Sequence, residues 1–275
     1  MPEGPEIRRA ADQVEGVLKD QTVQKVEFGL TPLKKYAKVL KGAHVTSMET
    51  RGKALLTHFD IGMTIYSHNQ LYGVWRVVKR DKLPNTNRQL RLAIHTEKHS
   101  AVLYSASDIS VWKTACIEEH PFLQRIGPDI LNPELTWRDV AERLQSKAFV
   151  GRALNSVYLD QGFLAGLGNY LRSEILFLAG IHPTLRARDL TKGQLGKLAR
   201  TTLAISQRSY ALAGVTLPER QYKALRKQGA TYGKARFFVF GRANQPCRVC
   251  QSKIKREVAN SRRIYICTSC QPKEQ

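Results

Sequence analysis

Four cysteines constrain this chain more than any other feature. Cys247 and Cys250 form one C-x2-C pair, sixteen residues follow, and Cys267 and Cys270 form a second pair. That spacing falls inside the zinc-ribbon pattern. Each pair can point two thiolates at one tetrahedral ion, and the residues between can form a hairpin that brings the pairs together. A disulfide framework is disfavoured because no basic-then-apolar leader is present, so the thiols are expected to be reduced. Cys116, the fifth cysteine, stands alone and reads as a small buried residue rather than a nucleophile.

The charge narrows the partner. The 275 residues carry 44 Lys and Arg against 23 Asp and Glu, a net charge of +21. Residues 186–275 hold 20 basic and 4 acidic side chains, and residues 1–185 hold 24 and 19. A basic excess confined to one part of a chain is the electrostatic footprint of a polyanion partner. Nucleic acid is preferred over an anionic membrane, because no basic amphipathic helix of the interfacial kind stands out. No apolar run approaches the roughly 18 residues of a membrane span, so a soluble cytoplasmic protein is expected.

The opening MPEGPEIRRAAD reads as a built helix start. Pro5 suits a first helical turn, where its missing N–H would have no partner, and Glu3 and Glu6 sit where the helix dipole favours negative charge. Ile7, Ala11, Val14 and Leu18 then recur at helical spacing. Six segments of strand character follow: VTSMET, KALLTHF, MTIYSH, LYGVWRVV, LRLAIHT and AVLYSAS. Short strands in series argue for a β-sandwich or barrel.

The composition shifts at GPDILNPELT, near residues 127–136, where a domain boundary is placed. Helical patterns take over in TWRDVAERLQSK, around residues 158–163, in NYLRSEILFLAG and in LTKGQLGKLARTTLAISQRSYALAG. Thr136 with Asp139, and Thr191 with Gln194, are capping boxes, and Gly180 and Gly214 stand where C-caps belong. Residues 215–236, basic and rich in Gly, Lys and Arg, read as mobile. The expected fold class is α+β, in three segments: 1–130, 131–236 and 237–275.

Taken together, MPEGPEIRRAAD, RGKALLTHF, YSHNQLYGVW, FLQRIGPD, FLAGLGNYLRSEIL and the four-cysteine finger resemble the bacterial endonuclease VIII branch of the formamidopyrimidine-DNA glycosylase/endonuclease VIII family. The match runs in order from residue 2 to Cys270. The resemblance implies an N-terminal helix-capped β-sandwich and a C-terminal helical domain with a helix-two-turn-helix element and a zinc-finger β-hairpin, holding DNA in the cleft between them. It implies a DNA repair glycosylase and lyase that removes oxidised pyrimidines and then cuts the abasic strand by β- and δ-elimination. The implied partner is double-stranded DNA with oxidised bases or abasic sites, without a membrane, for a monomeric enzyme associated with the nucleoid. One structural Zn2+ is implied, and no redox or nucleotide cofactor.

By the same resemblance Met1 is removed and the secondary amine of Pro2 attacks C1′ of the damaged nucleotide. An α-amino group titrates at about 7.7–8.0 against about 10.4 for lysine, so far more of it is unprotonated at neutral pH. Glu3 is the implied general acid/base and Glu6 a supporting residue of the DNA site. Lys53 and Arg262 complete the catalytic set, Arg262 by gripping the phosphates flanking the damage. Arg263 follows it where a small or ring residue is expected, so Arg263 is also a candidate DNA contact and either arginine could take the main one. Asn169 is placed on the DNA backbone, at a helix start whose N–H groups are free to bind phosphate. Arg125 is a DNA contact in FLQRIGPD, and Gln70, Leu71 and Tyr72 fill the hole left by an everted base.

A formamidopyrimidine/8-oxoguanine enzyme is the nearest rival, but MPEGPE, RGKALL and SHNQLYG favour the pyrimidine branch. A non-catalytic DNA-binding protein is the rival from another class. Intact Pro2, Glu3 and Lys53 argue against it.

Overall fold

The apolar stripe that begins at Ile7 closes into a helix. In the computed structural model, which describes residues 2–80, 82–259 and 261–273, α1 runs Gly4–Leu18 and buries Ile7, Ala11, Val14 and Leu18. Met1, whose removal the resemblance implies, lies outside the described residues. The chain divides into two compact units: Pro2 with Glu6–Arg125, and Glu3–Pro5 with residues 126–273.

The first unit holds β1 (Lys25–Phe28), a short α2 (Tyr36–Leu40), and β2 (Val45–Arg51), β3 (Ala54–Phe59), β4 (Met63–His68), β5 (Val74–Lys79), β6 (Leu90–His95), β7 (His99–Tyr104) and β8 (Asp108–Lys113). They form two antiparallel four-stranded sheets, ordered β1-β6-β7-β5 and β2-β3-β4-β8. Leu92, Ile94 and Leu103 from one sheet and Val45, Leu55 and Ile65 from the other share a single core with α1. This is the sandwich alternative, not the barrel. The sequence reading missed β1 and β8: KVEF is too short to show alternation, and DISVWK opens on a charged residue. Cys116 is half-buried instead of buried, because it falls in a short 3-10 turn, Thr114–Glu119, that buries only Ile117.

The second unit holds α3 (Trp137–Gln145), α4 (Leu154–Val157), α5 (Asn169–Ala179), α6 (Lys192–Ala211), α7 (Glu219–Lys227), α8 (Tyr232–Ala235), and a hairpin of β9 (Lys255–Ala259) and β10 (Arg262–Ile266). Both expected capping boxes form, with Asp139 N donating to Thr136 Oγ1 at 3.3 Å and Gln194 N to Thr191 Oγ1 at 3.2 Å. Gly180 caps α5 in the left-handed region, at φ +76°.

One expectation fails here. Residues 158–163 turn rather than continue as helix, because side chains take over their backbone groups: Asp160 accepts from Gly162 N, and Arg143 donates to the carbonyls of Gly162 and Phe163. The segment 215–236 forms α7 and α8, helices the sequence did not signal.

α5 is central to this unit. Nine of its eleven residues are buried, including Arg172 and Glu174, and buried charges need partners. Glu174 accepts from the Thr216 hydroxyl at 2.5 Å and from the amides of Phe238, Val239 and Phe240 at 2.8–2.9 Å. Burial pushes its carboxyl up, and these four donors pull it back. One carboxylate thus ties the segment from Thr216 to Phe240 onto α5.

Histidines make the fold sensitive to pH. Burial holds His68, His95, His120 and His182 below the ordinary histidine range. The unfolded chain protonates these groups near about 6.5, whereas the folded chain takes up the protons only at lower pH. Their contribution to stability is therefore fully present above about 6.5 and is lost as pH falls from there through the folded values. The melting temperature is expected to drop between pH 7 and pH 5, and to drop less in a variant with His68 and His95 replaced by Gln. A wild-type melting temperature that is flat over this range would refute the assignment.

Candidate active site and metal centre

Glu3 is almost fully buried, and its carboxylate is spoken for. Oε1 accepts from Tyr170 N at 2.7 Å and Oε2 from Leu171 N at 3.2 Å. These amides belong to the first turn of α5, where backbone donors lack helical partners and the dipole favours negative charge. The helix start that the sequence reading left open for phosphate is thus occupied by Glu3. The approach is close enough to dictate the preceding residue: a Cβ on Gly168 would lie 2.4 Å from Glu3 Cδ. Gly4 N donates to Gly166 O at 2.8 Å, so the same loop also fixes the residue after Glu3. Pro2 is half-buried beside it in sequence.

Arg172 organises the next layer. Its guanidinium donates to Asn155 O at 3.0 Å, Asn169 Oδ1 at 2.7 Å and Arg263 O at 3.2 Å. Asn169 Nδ2 donates to the same Arg263 carbonyl at 2.8 Å. Arg172 is lowered to about 10, by burial first and by the neighbouring Arg262 charge second, with Glu3 opposing both. Strand alternation agrees: Arg262 shares a face of β10 with Ile264 and Ile266, which enter the core beside α5, while Arg263 shares the other face with Tyr265. The two arginines are thus separated by direction, and Arg262 lies toward Arg172.

The remaining candidates lie in the first unit. Lys53 sits in the two-residue turn of the β2–β3 hairpin, one position before β3, where Gly52 adopts φ +64°. Its charge helps to hold His68 below the ordinary range, after burial and against Asp108. Gln70, Leu71 and Tyr72 form an exposed loop between β4 and β5, with Leu71 51% and Tyr72 69% exposed. The loop is nevertheless tied down. Gln70 N donates to His68 Nδ1 at 2.9 Å, Ser107 Oγ to Gln70 Oε1 at 2.8 Å, and Arg88 to Tyr72 O at 2.8 Å. Arg125 is exposed, with Nε bonded to Pro121 O at 2.8 Å, and Glu6 is half-buried on α1.

Sequence reasoning missed Gly168, Arg172, Glu174 and His68 as supporting residues. One signal was available: Arg and Glu two positions apart in the largely apolar NYLRSEILFLAG. Charges inside a helix that is apolar all round mark buried, partnered groups.

The four cysteines converge. Cys250 and Cys267 Sγ lie 3.4 Å apart, Cys247 and Cys270 4.0 Å apart, and all four within 4.8 Å of one another. These separations exceed a disulfide's about 2.05 Å. Thiolates about 2.3 Å from a tetrahedral ion stand about 3.8 Å apart, so the set fits a metal ion. Hydrogen bonds from the Ser252 side chain and amide bring Cys250 down to about 6, toward the thiolate that ligation requires, while burial pushes Cys267 and Cys270 up.

Comparison with known proteins follows the same division. The family model of the formamidopyrimidine-DNA glycosylase N-terminal domain matches residues 1–107, and that of the formamidopyrimidine-DNA glycosylase H2TH domain matches residues 126–220. Endonuclease 8 of Escherichia coli O17:K52:H18 (strain UMN026 / ExPEC) is 49% identical over 271 residues, covering 98% of this chain and 100% of its own. Endonuclease 8 of Shigella sonnei (strain Ss046) is 48% identical over the same coverage. Among solved structures, a Lactococcus lactis Fpg complex with abasic-site DNA aligns with a TM-score of 0.80 at 19% identity, covering 98% of this chain and 99% of that one. A Lactococcus lactis Fpg complex with DNA containing an oxidised pyrimidine aligns at 0.81 and 20% identity, covering 98% and 100%. Among the described residues no helix is long and apolar enough to cross a membrane.

Proposed function

The chain belongs to the formamidopyrimidine-DNA glycosylase/endonuclease VIII family, and from that premise we propose a bifunctional DNA glycosylase and abasic-site lyase acting on oxidised pyrimidines in double-stranded DNA. The observation that carries this reading is the placement of Glu3, next to Pro2 in the chain and held on two amides of α5. The identity of 49% to an Endonuclease 8, against 19–20% to the Fpg structures, supports the pyrimidine branch.

In this reading the Pro2 amine forms a bond to C1′ as the bond from C1′ to the base breaks, and the base leaves with a proton. Glu3 delivers a proton to the sugar ring oxygen as the ring opens, leaving a cationic iminium. The iminium is an electron sink, so β- and then δ-elimination expel the phosphates on either side. No redox or nucleotide cofactor enters this balance.

Lys53 and Arg262 contact phosphates, and the face Arg262 shares with Ile264 and Ile266, beside α5, supports it over Arg263. Asn169 spends one Nδ2 hydrogen on Arg263 O, and its amide has a second to offer DNA. Glu6 and Arg125 support the DNA surface, and Gln70, Leu71 and Tyr72 fill the vacated stack. Cys247, Cys250, Cys267 and Cys270 would hold one structural zinc ion, whose four thiolates leave no position for substrate. The functional segments are 1–130, 131–236 and 237–275, in a monomer working in the cytoplasm at the nucleoid.

Borohydride reduction of the protein with lesion-containing duplex tests the chemistry. A covalent adduct on the residue-2 amine is expected from peptide mapping. Recovery of the adduct on Lys53 alone, or of none from active protein, would overturn the assignment.

A further inference from the structure

α7 has no obvious reason to be as basic as it is. None of its nine residues is buried, and the partly covered Tyr222 and Leu225 rest against the cluster of Val215, Leu217 and Phe238. Thr216, just ahead of it, is bonded to Glu174. The helix is therefore anchored from one side. With about 100° between successive residues, Arg220, Lys223 and Lys227 fall on the face opposite Tyr222 and Leu225, and all three are exposed. Glu219 pairs with Lys223 at 2.6 Å, an exposed pair that contributes little to stability.

We propose that this stripe of Arg220, Lys223 and Lys227 is a second contact surface for the DNA backbone, separate from the site around Glu3. The proposal rests on the repair reading above. The stripe rises about 10.5 Å along the helix, roughly three phosphate steps of one strand at about 3.4 Å each. It lies in residues 186–275, where 20 basic side chains face 4 acidic ones. A lipid surface fits less well, because an interfacial helix inserts its apolar face and that face of α7 is already against the protein.

The test is the salt dependence of binding to undamaged duplex. Arg220→Ala, Lys223→Ala and Lys227→Ala are combined in one variant, which keeps or improves helix propensity. Each phosphate contact adds about 0.9 to the slope of log K against log salt. The slope should fall by about 2–3, equally for damaged and undamaged duplex, while single-turnover excision at saturating enzyme is unchanged. A variant with Lys34, Lys35 and Lys38 replaced by Ala removes the same charge from exposed positions of the first unit and should leave the slope in place. An unchanged slope in the α7 variant, or an equal loss in both, overturns the proposal. Because undamaged DNA gives the readout, a wild-type protein that binds but does not excise would instead count against the repair reading.

Discussion

Gly168→Ala is expected to cut base excision by about a hundredfold or more while duplex binding survives. The added Cβ would lie 2.4 Å from Glu3 Cδ and 2.5 Å from Oε1, so the carboxylate must leave the amides of Tyr170 and Leu171. Losing a positioned acid/base costs about 10²–10⁴ in rate. The phosphate contacts assigned to Arg262 and Lys53 are not touched. Glu3→Gln should show a related pattern: its Oε1 can still accept from Tyr170 N, but its NH2 would face the Leu171 N–H. Single-turnover excision rates, with dissociation constants on undamaged duplex, decide the matter. Wild-type excision by Gly168→Ala would show that the seat of Glu3 does not matter to the chemistry.

Removing the metal should weaken binding instead of chemistry. Cys267 is buried and directly follows β10, so Cys267→Ser leaves three thiolates around the ion and loosens the strand that carries Arg262. Structural zinc sites supply about 10–16 kcal/mol of apparent binding energy, which becomes folding energy in small metal-bound elements. The expected result is one zinc ion per wild-type chain, less in the variant, and at least about tenfold weaker binding to damaged and undamaged DNA alike. Chelator treatment of the wild type should reproduce the loss. A metal-free wild type that binds DNA at full strength would show that the four cysteines have been misread.

Local signals in the sequence carried well where the chain decides locally. Thr136 with Asp139 and Thr191 with Gln194 cap as their spacing demands, and the two C-x2-C pairs meet. The signals failed where distant side chains decide. Residues 158–163 lose their helix in part to Arg143, which lies 19 and 20 positions from the carbonyls it holds, and residues 215–236 form helices behind Thr216, which is held by Glu174 42 positions away. The site followed the same rule. Motifs named Glu3 and Asn169, but no local pattern told that Glu3 would occupy the helix start beside Asn169. The purpose of Gly168 is legible only once Glu3 is seen against it.

The partners of Glu3 lie 167 and 168 positions further along the chain. A ribosome adding about 5–20 residues per second exposes the first helix many seconds before α5 exists. During that interval Pro2 has no placed acid beside it. On the proposed mechanism, a nascent or truncated chain that ends before Tyr170 carries the amine without a seated acid and is expected not to nick DNA. In the proposed chemistry the Pro2 amine is armed only once the first turn of α5 exists to seat Glu3, so the order of synthesis itself withholds the activity until the second unit has begun to form.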